Sequence, residues 1–66
     1  MFWLLPTYDG VDDTHAMEAR LIEQLNIQDV TPDPFGPALY ERREDAERVK
    51  AAIEKEAPKL RIQLMG

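Results

Sequence analysis

The sequence contains no cysteine. This absence excludes a disulfide scaffold, a thiolate zinc site and a cysteine nucleophile, and it fits a reducing compartment such as the cytoplasm. Long apolar runs are also missing, because the apolar N-terminal stretch ends at Pro6 and no segment approaches about 20 apolar residues. We therefore expect a cytoplasmic chain that neither crosses nor enters a membrane.

Basic residues are scarce, with 8 Lys and Arg against 13 Asp and Glu and a net charge of −5. Binding to a phosphate backbone needs clustered basic residues, so we expect no nucleic-acid partner. The charge is also uneven, because eight acidic residues precede Arg42 against Arg20 alone, whereas seven basic and five acidic residues follow from Arg42 onward. An acidic first part fits a basic surface on a partner protein, or a contact with a second copy; a plain solvated surface is the competing interpretation.

Residues suited to catalysis or to ligand binding are few. His15 is the only histidine and is expected in the exposed first turn of a helix, away from any pocket. Asp9, Asp12 and Asp13 lack calcium-loop spacing, and turn formation and helix capping account for them without a metal. The three glycines are isolated and form no phosphate loop. We predict no catalytic residue, metal site or cofactor, and therefore a chain that is not an enzyme.

The 66 residues, 44% hydrophobic and 32% charged, have the composition of one globular domain spanning residues 1–66. This size lies near the lower limit for folding without a disulfide or a metal. We therefore expect support from a partner, and a homodimer is the simplest such arrangement.

The apolar periodicity predicts two helices. Residues 13–25 place Met17, Leu21, Ile22 and Leu25 on one stripe, with Glu18 directed elsewhere. Asp12 or Asp13 is the predicted N-cap and Asn26 the predicted stop. Residues 42–57 form the second helix, with the i,i+4 pairs Arg43–Glu47 and Glu44–Arg48 on its outer side. The inward stripe of this second helix is Ala46, Val49, Ile53 and Ala57.

Three segments are predicted as strands. Residues 2–5 are apolar on both alternating faces, residues 38–40 are a short candidate, and residues 60–64 alternate as in a half-buried strand. The connector 26–37 contains three prolines and is predicted to be irregular and stiff. The order of these strands and helices along the chain predicts an α/β fold, a single small β-α-β-α-β domain with a three-stranded sheet. The last two strands are predicted to pair in parallel, through right-handed crossovers.

An alternative α+β arrangement places both helices on one face of the sheet. In that case Trp3 or Phe2, together with Leu4 or Leu5 and with Tyr40 and Met65, would form an exposed apolar surface. A second copy or another partner would have to cover such a surface.

A short, acidic, cysteine-free chain without catalytic motifs resembles the accessory proteins that bacteriophages encode to bind and redirect host machinery, including CRISPR inhibitors. The resemblance covers size and charge over the whole chain and transfers no site residue. It implies a non-enzymatic module that occupies a basic surface on a host protein. A structural homo-oligomer, or a component of a larger assembly, is the alternative.

Five residues are candidates for partner binding. Asp12, Asp13 and Glu18 would steer the chain toward a basic surface. Trp3 and Phe35 are candidate aromatic anchors, because aromatic residues dominate binding hot spots. Core packing is the competing role for Trp3, and pinning of the connector to the body is the competing role for Phe35.

Overall fold

A computed structural model of the chain describes residues 1–6, 14–33 and 36–66. These residues contain four strands and two helices in the following order along the chain: β1 (Trp3–Pro6), α1 (Thr14–Gln24), β2 (Val30–Thr31), β3 (Leu39–Tyr40), α2 (Arg43–Glu56) and β4 (Ile62–Met65).

The strands near the two chain ends pair with each other. β1 and β4 form an antiparallel ladder in which Trp3 lies opposite Met65 and Leu4 lies opposite Leu64. The ladder brings residues some sixty positions apart in sequence into contact, so local pattern alone gives no sign of it. It fixes which side chains of both strands face the core.

The second ladder pairs a strand inside the predicted connector with the predicted short strand. β2 and β3 pair antiparallel, with Val30 opposite Tyr40 and Thr31 opposite Leu39. An isolated antiparallel bridge then joins this hairpin to the start of the chain. In this bridge the Phe2 amide donates to the Tyr40 carbonyl at 2.9 Å, and the Tyr40 amide donates to the Phe2 carbonyl at 2.7 Å.

The predicted three-stranded α/β fold is therefore wrong. The described residues form two two-stranded antiparallel sheets in a small α+β domain. β3 and β4 do not pair in parallel; β4 pairs with β1, and Tyr40 of β3 bridges to Phe2. The prediction failed because β2 reverses the chain direction before β3 begins, so that β3 returns antiparallel to the first segment. The alternative α+β class is the one observed.

The predicted stop of α1 at Asn26 is confirmed. Asn26 adopts a left-handed φ of 55°, a conformation that asparagine tolerates better than other residues with a side chain. Its amide donates to the Glu23 carbonyl at 3.1 Å, and the Ile27 amide donates to the Ile22 carbonyl at 3.0 Å. These two bonds form a Schellman motif, in which buried Ile22 and Ile27 supply the accompanying apolar contact.

The predicted inward stripe of α2 is confirmed as well. Ala46, Val49 and Ile53 are at most 1% exposed, and Ala57 packs against the same cluster. α1 adds Leu21 and Ile22 to this cluster. The remaining members of the cluster come from strands and loops and are Leu4, Ile27, Ala38, Tyr40, Leu60 and Ile62. One core therefore joins both helices to the inner face of the strands.

In the part of the chain that the structure describes, no helix is long and apolar enough to span a membrane.

Candidate functional site

The face of the strands directed away from the core is apolar and partly exposed. Side chains alternate along a strand, so buried Leu4 leaves Trp3 and Leu5 on the opposite face, and buried Tyr40 leaves Leu39 there. We call the outward residues Trp3, Leu5, Leu39 and Met65 the outer face. Leu5 is 41% exposed and Leu39 is 38% exposed.

Trp3 occupies the middle of the outer face. Met65 lies directly opposite Trp3 on β4, and the bridge between Phe2 and Tyr40 directs Leu39 toward its other side. Trp3 belongs neither to the buried core nor to the partly buried residues packed against it. Trp3 is half-buried on the outer face, outside the core cluster.

The outer face carries no charge in the described strands. Its remaining outward strand residues, Thr31 and Gln63, are neutral and exposed. A half-buried tryptophan beside exposed leucines, with neutral polar residues around them, is a composition typical of the central part of a protein interface.

The structure separates the five candidate partner-binding residues. Trp3 lies on the outer face, whereas Glu18 is buried at 5% exposure. Asp12, Asp13 and Phe35 lie outside the described residues. The prediction that Glu18 points away from the apolar stripe of α1 is wrong. Its spacing of three residues before Leu21 and four before Ile22 places all three on one helix face, and this spacing was the signal that could have revealed its burial.

Glu18 is held by two donors from the β3 segment. The Tyr40 hydroxyl donates to Glu18 Oε2 at 2.6 Å, and the Ala38 backbone N–H also donates to the carboxylate. Tyr40 is fully buried, so this contact ties α1 to β3 inside the core. The sequence places Tyr40 in a short strand, exposed only in the alternative arrangement, and does not reveal its pairing with Glu18.

Burial raises the pKa of the Glu18 carboxyl above its usual range. The loss of hydration opposes the charged form more strongly than the Tyr40 and Ala38 hydrogen bonds and the charge of His15 favour it. The pKa of Tyr40 is also raised, first by burial and then by its bond to Glu18. Both shifts show that the pair lies in a poorly hydrated environment.

A pocket of about 330 Å³ opens beside this pair, between α1 and the loop that follows β2. We call it the α1 pocket. Its lining residues are His15, Ala16, Glu18, Ala19, Ile22, Pro32, Asp33 and Ala38. Its walls are therefore mostly apolar, and its described charged or titratable residues are two carboxyl groups and one imidazole.

Three of the four basic residues of α2 contact neighbouring acids. Arg43 Nε lies 3.7 Å from Glu47 Oε1, which confirms the predicted i,i+4 pair. Arg48 pairs with Asp45 at 3.7 Å, three residues away, and not with the predicted Glu44. Similar contacts tie Lys50 to Glu54 and, between the helices, Arg20 to Glu56. Arg43, Arg48 and Lys50 are therefore held in ion pairs with acids of the same helix.

Within residues 1–6, 14–33 and 36–66, no group of three histidine, aspartate or glutamate side chains is arranged to hold a metal ion. Comparisons with protein-family models, with curated proteins and with solved structures found no match to this chain.

Proposed function

We propose that this chain is a non-enzymatic protein-interaction module that binds a partner protein through its outer face. Bacteriophage accessory proteins and inhibitors that occupy a surface of a host protein are modules of this kind. Such a module would act in the cytoplasm and needs no cofactor. The observation that carries the proposal is the position of Trp3, which lies outside the core between exposed leucines.

The energetics of the outer face support binding. Each apolar side chain left in water forgoes about 25 cal/mol per Å² of burial, and a chain of 66 residues has little stability to spare. Tryptophan is the residue most enriched among binding hot spots, and leucines around it exclude water from the contact. A partner that covers Trp3, Leu5 and Leu39 would recover this free energy.

We further propose that the acidic residues in the first part of the chain steer its association with the partner. We assign Asp12 and Asp13 the role of steering the module toward a basic surface, since complementary charge raises the association rate more than it raises affinity. Reversal of both residues to lysine should slow association and weaken its salt dependence. An unchanged association rate would contradict this steering role.

The test of the outer face is site-specific photo-crosslinking in cells. A photoreactive residue replaces Leu5 on the outer face or, as a matched control, Ala51, which is exposed on α2. We expect one dominant adduct from position 5 and none of the same mass from position 51. Equal adducts from both positions, or none from position 5, would contradict binding through the outer face.

The same experiment distinguishes this proposal from the alternative, in which the chain is a structural homo-oligomer. If a second copy covers the outer face, purified protein alone gives a position 5 adduct of twice the chain mass. Light scattering across a concentration series then gives a dimer that high salt does not dissociate, because the contact is apolar.

A further inference from the structure

We propose that the α1 pocket receives a lysine side chain of the partner protein, whose ammonium group pairs with Glu18. This inference rests on the proposed function and names one group that the partner contributes. The lysine contact can be tested separately, because no residue that lines the pocket belongs to the outer face.

The shape and walls of the pocket fit an aliphatic stem that ends in a charge. Lysine side chains lay their methylene groups along apolar surface and keep the charged end at a polar site. The apolar residues that line the pocket are Ala16, Ala19, Ile22, Pro32 and Ala38. The pocket's volume of about 330 Å³ is larger than that of a lysine side chain.

The charge of the pocket selects a cation. Glu18 and Asp33 both line it, so an anion is disfavoured. Across the described residues, no lysine or arginine forms an ion pair with Glu18, and the one positive charge that acts on it is that of His15. A buried carboxylate is costly unless a cation accompanies it, and an incoming ammonium group supplies one.

The hydrogen bonding of Glu18 favours lysine over arginine. A guanidinium group reaches its full strength when it binds both carboxylate oxygens side by side. One of these oxygens, Oε2, already accepts the Tyr40 hydroxyl at 2.6 Å. A compact ammonium group needs only one of the lone pairs that the Tyr40 and Ala38 donors leave on the carboxylate.

The test is an NMR titration of the full chain with Nα-acetyl-lysine N-methylamide. We expect saturable, millimolar binding with shifts at Ala19, Ile22 and Ala38, and a fall in the pKa of Glu18 as the ammonium group stabilises its charged form. The norleucine analogue, which keeps the stem but lacks the charge, should bind at least about tenfold more weakly, as expected when a charge-assisted hydrogen bond is lost.

Three variants make the result specific. Glu18→Gln should lose at least about tenfold in affinity, as expected for loss of a charge-assisted bond, while Glu23→Gln, an exposed residue of the same helix, should bind as the wild type does. Ala19→Phe should block the pocket without changing any charge. Equal binding of the lysine and norleucine analogues, or wild-type binding by Glu18→Gln and Ala19→Phe, would overturn the inference.

Failure here is distinguishable from failure of the proposed function. The crosslink at position 5 does not involve Glu18 or the pocket. A position 5 adduct together with no lysine binding would leave the outer face as the interface and remove the pocket from it.

Discussion

The buried carboxyl of Glu18 makes a prediction about stability and pH. In the unfolded chain its pKa is that of an ordinary glutamate, 4.5, and in the folded protein the pKa is higher. Well below pH 4.5 both states hold the proton, and the group imposes no charge penalty. As the pH rises, the unfolded chain releases the proton first, so the folded state loses stability until the pH passes the folded-state pKa.

The replacement Glu18→Gln removes this titration and keeps the acceptor for Tyr40. Each unit of pH between the two pKa values costs the wild type about 1.4 kcal/mol, which is a large part of the roughly 3–10 kcal/mol expected for a domain of this length. We therefore expect the variant to gain stability relative to the wild type as the pH rises from 4, and the gain to level off once Glu18 is ionised in the folded protein.

The assay is urea unfolding of both proteins at a series of pH values, followed by far-UV circular dichroism. Glu23→Gln is the control, because this glutamate is exposed on the same helix and its replacement should leave the pH profile of the wild type nearly unchanged. If the free energies of unfolding of the wild type and Glu18→Gln run parallel between pH 4 and pH 8, the reasoning about burial is refuted.

Three further substitutions test the packing around this site. Tyr40→Phe leaves the Glu18 carboxylate without its hydroxyl donor and should cost about 1–3 kcal/mol in urea unfolding; a neutral effect would contradict the pairing. Asn26→Val should lower stability by about 1–2 kcal/mol, because a branched side chain resists a φ of 55°, while Asn26→Gly should be tolerated; equal stability of the two would refute the left-handed stop. Ile53→Ala removes a side chain that is 1% exposed and should cost about 2–5 kcal/mol, enough to leave much of the chain unfolded at 37 °C; a cost below 1 kcal/mol would place Ile53 outside the core.

Helices were predictable from sequence because their signals are local. The stripes of α1 and α2 repeat every three to four residues, and Asn26 supplies a stop whose physical basis is a single backbone angle. The structure begins and ends both helices within one residue of the prediction.

Strand pairing was not predictable, because it depends on contacts distant in sequence. β2 has only two residues and lies in a connector rich in proline, so no alternation of apolar and polar residues reveals it. It nevertheless pairs with β3, and both ladders of the fold are antiparallel. The apolar residues at 2–5 predict a strand that is buried on both faces. Half of them form the outer face instead.

The candidate site was predictable only in part. Trp3 is a candidate anchor because of its residue type, with core packing as the competing role, and the structure adds that it lies off the core between Leu39 and Met65. The sequence predicts that Glu18 points away from the apolar stripe of α1, as charged side chains usually do, because they are rarely buried. Its partner Tyr40 lies 22 residues away, so the hydrogen bond that makes burial tolerable was not visible in the sequence.

The measurement that tests the central claim most directly is the affinity of the crosslinked partner for variants of the outer face. Trp3→Ser and Leu5→Ser each remove one apolar side chain from this face, and Ala51→Ser changes an exposed position on α2 as the control. We predict that Trp3→Ser weakens binding at least about thirtyfold, as truncation of a hot spot does, that Leu5→Ser weakens it less, and that Ala51→Ser leaves it unchanged. Wild-type affinity of the Trp3 variant would contradict the account.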